Sequence, residues 1–140
     1  MDRTSQIAQE ISVIMPKIAR RVLLSFFQSI EIPPAQLFVI IILYEKGHCR
    51  FSTLSKELHI AAPTVTGIVD RLERGGFVER RHDIEDRRAI NVLLTGKGKS
   101  IAQRLRATIK KRWQEILLNL SSQDQRNYLR ILKTIQQYLR

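Results

Sequence analysis

The glycine pair Gly75-Gly76 divides the middle of the chain into two incompatible periodicities. Before it, "AAPTVTGIVDRLERGG" spaces Val65, Val69 and Leu72 by three or four, which gathers them on one side of a helix, and Pro63 suits that helix's first turn. After it, "FVERR" and "AINVLL" are short, and Ile90, Val92 and Leu94 alternate with Asn91 and Leu93, the period of a strand. Glycine stops a helix at low steric cost, so the pair marks a helix C-terminus followed by a two-stranded hairpin. An all-helical bundle cannot run through such a break.

The residues upstream complete a unit. In "FSTLSKELHI", Leu54 and Leu58 lie on one face of a short helix, with Ser52 as its expected N-cap. Two short helices separated by about three residues form a helix-turn-helix. A hairpin directly behind it is a wing. The expected fold is therefore mainly α with a small β-hairpin wing (α+β), a winged helix-turn-helix.

The ends of the chain exceed what such a unit needs. Ile7, Ile11, Ile14, Ile18, Val22 and Phe26 trace a long amphipathic helix, within which Pro16 should cause a kink or begin a new segment. After "EIPPAQ", Leu37 to Glu45 form a helix that is apolar nearly all round and so belongs at the centre, with Gly47 as its C-cap. Thr95 should cap a long helix carrying Ile101, Leu105, Ile109, Trp113, Ile116, Leu117 and Leu120 on one side. Ser121 and Asp124 have capping-box spacing, ahead of Tyr128, Leu132, Ile135 and Leu139. These surplus apolar stripes need a partner, of which the simplest is a second copy. The expected organisation is a dimerisation region over 1–34, a winged helix-turn-helix over 35–95, and dimerisation helices over 96–140.

Charge narrows the partner. Among 140 residues, 24 lysines and arginines oppose 13 acids, a net +11 that favours a polyanion, chiefly nucleic acid. The single cysteine, Cys49, excludes an internal disulfide framework and fits a cytoplasmic setting; beside Arg50 at the start of the wing sheet, it reads as an inert, buried or half-buried thiol. The first 17 residues are polar and mixed in charge, unlike a signal peptide, and "LFVIIILY" at 37–44 falls far short of the roughly 20 residues of a membrane span. No membrane partner is expected.

On this reading the helix over about residues 63–75 enters the major groove. Opposite its buried stripe lie Thr64, Gly67, Arg71 and Arg74, with Thr66 and Asp70 beside them. Thr64, Thr66 and Gly67 are small enough to approach base edges or phosphates, whereas Arg71 and Arg74 suit the backbone. The segment "RRHDIEDRR" at 80–88 is then the wing loop. Its region 82–88 should enter the minor groove, with Arg81, Arg87 and Arg88 as contacts. Asp83, Glu85 and Asp86 should hold those guanidinium groups in bidentate pairs and aim them. The bland alternatives are a self-neutralising loop and a solvated helix face.

The stretch "APTVTGIVDRLERGGFVERRHDIEDRRAINVLLTGKG", Ala62 to Gly98, resembles the MarR (multiple antibiotic resistance regulator) family of winged-helix transcription factors. The matching features are the "LExxG(F/L)V" link at Leu72 to Val78, an Asp-x-Arg at Asp86 and Arg88, and "LTxxG" at Leu94 to Gly98. The resemblance implies an obligate, triangular homodimer whose first and last two helices intertwine over a near-palindromic double-stranded DNA operator. It also implies that Arg88 enters the minor groove with Asp86 orienting it, and that a small-molecule effector or an oxidant releases the DNA, as for a repressor. The first helix lacks the reactive cysteine of the family's peroxide sensors.

Other chemistry is unsupported. "GKGKS" at 96–100 has Leu93 where a phosphate loop needs its first glycine, and His48, His59 and His82 have no ligand spacing. No enzyme activity, metal or cofactor is expected. Two further readings stay open: a nonspecific nucleoid-type nucleic-acid-binding protein, and a module that binds partners or membrane surfaces through its end helices.

Overall fold

A computed structural model describes residues 2–139. Six helices and three strands follow in the order α1 (Arg3–Phe27), α2 (Pro34–Lys46), β1 (His48–Arg50), α3 (Phe51–Leu58), α4 (Ala62–Arg74), β2 (Val78–His82), β3 (Ile90–Leu94), α5 (Gly96–Leu117) and α6 (Ser122–Tyr138). They fall into two compact units, one up to Arg106 and one from Ala107 onward. The mainly helical fold with a small sheet is the expected one.

α1 is a single helix through Pro16, so the proline does not begin a new segment. Its N-terminus is capped by Asp2, whose Oδ1 accepts the Ser5 N–H at 2.7 Å. The apolar α2 is central, with Leu37, Val39, Ile40 and Leu43 fully buried. Gly47 ends it at φ +83°, a conformation that glycine adopts freely, and returns its N–H to the Leu43 carbonyl at 2.8 Å. Ser52 does not cap α3: the helix begins at Phe51 with Arg50 at the cap position and no side-chain bond. β1 runs straight into α3, leaving no loop residue free to fold a hydroxyl back over the first turn.

The sheet has three strands rather than the two of the expected hairpin. β3 lies between β1 and β2, antiparallel to both, with Cys49 opposite Val92 and Val92 opposite Arg80. Its core side packs Val78, Val92, Leu94 and Cys49 against Val39, Ile40 and Leu43 of α2, Leu54 of α3, and Val65, Ile68, Val69 and Leu72 of α4. Each such aliphatic side chain withdrawn from water contributes about 1.5–3 kcal/mol.

Thr95 caps α5 as expected, its Oγ1 accepting the Gly98 N–H at 3.2 Å while donating to the Gly76 carbonyl at 2.6 Å. Lys97 Nζ donates to the Gly75 carbonyl at 2.7 Å and sits 4.5 Å from the centre of the Phe77 ring. The end of α4 is thus tied to the first turn of α5. In the second unit, Ser121 Oγ accepts the Asp124 N–H at 3.1 Å and caps α6, and Trp113 packs against Tyr128. Among the described residues, no helix is long and apolar enough to cross a membrane.

Candidate nucleic-acid interface

α4 buries Val65, Val69 and Leu72 as the spacing predicts, and Ile68 completes that stripe. Thr64, Thr66, Arg71 and Arg74 are left exposed, with Gly67 half-buried. A Cβ at Gly67 would meet nothing within 4 Å, so this stretch of helix surface is open. Thr66 Oγ1 donates to the Ala62 carbonyl at 3.1 Å, which leaves its lone pairs free to accept.

Arg80 belongs to β2 and faces inward, so the exposed wing loop does not begin at residue 80 as its charge pattern predicts. It shares the strand parity of Val78, and that parity was the available signal. Its guanidinium pairs with Asp70 and lies 3.5 Å from Glu73 through Nε, both on α4, and covers the Phe51 ring of α3 at 5.2 Å. One half-buried cation therefore pins the wing strand to both helices. Sequence reasoning missed this role.

The loop itself spans 83–89, and its acids act differently from the expectation. Asp83 Oδ1 accepts the backbone N–H groups of Glu85 at 2.9 Å and Asp86 at 3.3 Å. Its Oδ2 accepts Asn91 Nδ2 at 3.1 Å and Arg50 at 3.4 Å. Asp86 Oδ1 takes the backbone N–H of Arg88 at 3.1 Å. The carboxylates thus order the peptide backbone and grip β1 and β3, while the bidentate aiming pairs are not formed. A short aspartate side chain reaches the amides two and three residues on without ordering a long arginine. Arg81 pairs with Glu79 at 2.5 Å. The exposed guanidinium groups of Arg71, Arg74, Arg87 and Arg88 have no carboxylate partner among the described residues, and Glu85 pairs with none of them.

Hydrogen bonds from the amides of Glu85 and Asp86 and from Asn91 hold the Asp83 carboxyl down at about 2, from an ordinary 3.8. Because the folded value is depressed, the carboxylate's stabilisation of the wing is complete above about pH 4 and lost as pH falls through 2. The difference in thermal midpoint between the wild type and Asp83→Asn should accordingly shrink to nothing across that interval. A difference that is flat with pH would show that the ionised carboxylate is not what orders the loop. Elsewhere, burial pushes the Cys49 thiol up, away from the reactive thiolate. Among the described residues, no three His, Cys, Asp or Glu side chains converge as for a metal.

A helix-turn-helix whose second helix is pinned to a three-stranded hairpin sheet is a winged-helix domain. Residues 32–90 match the family model described as MarR family. It is 29% identical over 101 residues to the HTH-type transcriptional repressor MdtR of Bacillus subtilis, covering 70% of this chain and 65% of that protein. It is 34% identical over 77 residues to the HTH-type transcriptional regulator YfiV of the same organism, covering 55% of this chain and 48% of the relative. The chain thus spans less than two thirds of these curated relatives. A solved MarR family protein from Bacillus stearothermophilus shares the fold at TM-score 0.89 and 23% identity, covering 99% of this chain and 98% of that one. Streptococcus pneumoniae FabT, solved in complex with DNA, aligns at TM-score 0.81 and 25% identity over 94% of this chain and 96% of its own. The curated relatives are named as transcriptional regulators, not enzymes.

Proposed function

We propose that the protein is a homodimeric transcriptional regulator that binds a near-palindromic duplex operator, most simply as a repressor. α4 lies in the major groove, where Thr64, Thr66 and Gly67 approach base edges or phosphates and Arg71 and Arg74 hold the backbone. The wing lies in the adjacent minor groove through Arg87 and Arg88, with Arg81 at its margin. The observation that carries this reading is the sorting of the charges. Arg80 and Arg81 have carboxylate partners, whereas the exposed cations of α4 and the wing tip have none among the described residues and are left for an external polyanion. The DNA-bound relative and the repressor names support the same conclusion.

The dimer rests on a second observation. α6 buries none of its residues, and Ile7, Ile11, Ile14 and Ile18 of α1 are each 45–53% exposed, leaving apolar stripes that a second copy would cover. Release of DNA by a small-molecule effector belongs to the same reading and rests on the family resemblance.

The test selects duplex fragments from the host genome and competes them against random duplex. A sequence-specific regulator prefers the selected site by orders of magnitude, whereas a nucleoid-type protein shows no preference. Arg88→Ala should weaken binding to the selected duplex about tenfold and reduce the salt slope by about one, with the thermal midpoint unchanged. Undiminished affinity would remove Arg88 from the interface.

A further inference from the structure

Resting on the reading that the wing enters the minor groove, we infer that Ile84 is its apolar contact inside that groove, a further affinity-determining residue beside the arginines. Ile84 is 98% exposed, the most exposed of the large apolar side chains described, ahead of Leu118 at 83%. A lone apolar side chain on a surface is ordinary. Its setting is not, because the backbone here is tied down. The Asp83 carboxylate gathers the amides of residues 85 and 86, so the chain bends over Ile84 within a fastened loop. The loop is fastened further by Asp83 to Asn91 and Arg50, and by the Asp83 N–H to the Ala89 carbonyl at 3.0 Å.

Ile84 thus pays almost no ordering entropy on docking beyond its own rotamer, and it presents a β-branched group with restricted χ1. His82, Asp83, Ile84 and Arg87 line one shallow depression, which puts the apolar group next to an arginine without a carboxylate partner among the described residues. A minor groove offers the matching pair of chemistries. Its negative potential attracts the guanidinium, and its deoxyribose walls and base steps accept aliphatic side chains.

The experiment measures affinity against salt for Ile84→Ala and Ile84→Val, using the duplex enriched from host genomic fragments by the wild-type protein and a random duplex of equal length. Ile84→Ala should bind the enriched duplex about tenfold more weakly, the scale of burying an aliphatic side chain, with the salt slope unchanged because no charge has been lost. Ile84→Val should stay within about threefold of the wild type, and neither variant should move the thermal midpoint by more than about 2 °C. Unchanged affinity for Ile84→Ala, while Arg88→Ala still weakens binding, overturns this inference and leaves the regulator reading intact. An affinity loss accompanied by a changed salt slope overturns it too, because the effect would then be electrostatic. Failure of the wild type to prefer any duplex removes the regulator reading and this inference together.

Discussion

Gly98→Ala is expected to destabilise the first unit by about 3 kcal/mol or more, lowering the thermal midpoint by roughly 10 °C. A Cβ at this position would stand 2.1 Å from the Phe77 carbonyl oxygen and 3.0 Å from Leu94 Cδ2. The obstacle is backbone. It cannot rotate aside, because the same oxygen accepts the Thr95 N–H at 3.0 Å. Relief requires α5 to lift off the chain leading into β2, which breaks the Thr95 and Lys97 contacts that secure the end of α4. Gly96→Ala in the same turn provides the control, since nothing lies within 4 Å of its Cβ position. Equal effects for the two variants in a thermal melt would mean that helix-start flexibility, rather than close approach, sets the cost.

Deleting residues 121–140 is expected to halve the mass seen by sedimentation and to weaken operator binding by about 100-fold or more. A dimer engages its second half-site at high effective concentration, and a monomer loses that gain entirely. The deletion removes α6, whose Leu129, Ile131, Leu132 and Ile135 are 37–53% exposed and form the stripe assigned to the partner copy. Each winged domain keeps its own core because that core draws no residue from α6. A shortened chain that still sediments as a dimer would move the interface to α1 and α5.

Most of the architecture was legible because helix stripes and the strand alternation are properties of consecutive residues. Val65, Val69 and Leu72 declared the inward face of α4, and Gly75-Gly76 its end. β1 was not legible, since "HCR" is too short to show a period and becomes a strand only by pairing with β3. Ser52 failed as a cap for the same reason: the strand before it, invisible locally, moved the helix start forward. Within the site, residue types identified the wing and its charges but not their partners. Arg80 reads as one more cation in a charged run, yet its parity with Val78 turns it inward. The aspartates were assigned to side chains, whereas their short reach committed them to nearby amides.

The Arg80 contact to Asp70, Glu73 and Phe51 has a mechanical meaning for the proposed complex. Recognition helix and wing behave as the two jaws of a caliper set to one opening, so an ill-fitting duplex cannot be accommodated by spreading them. In that proposed complex the work of adjustment would fall on the nucleic acid, and base steps that deform cheaply between the jaws would be favoured although no side chain touches them.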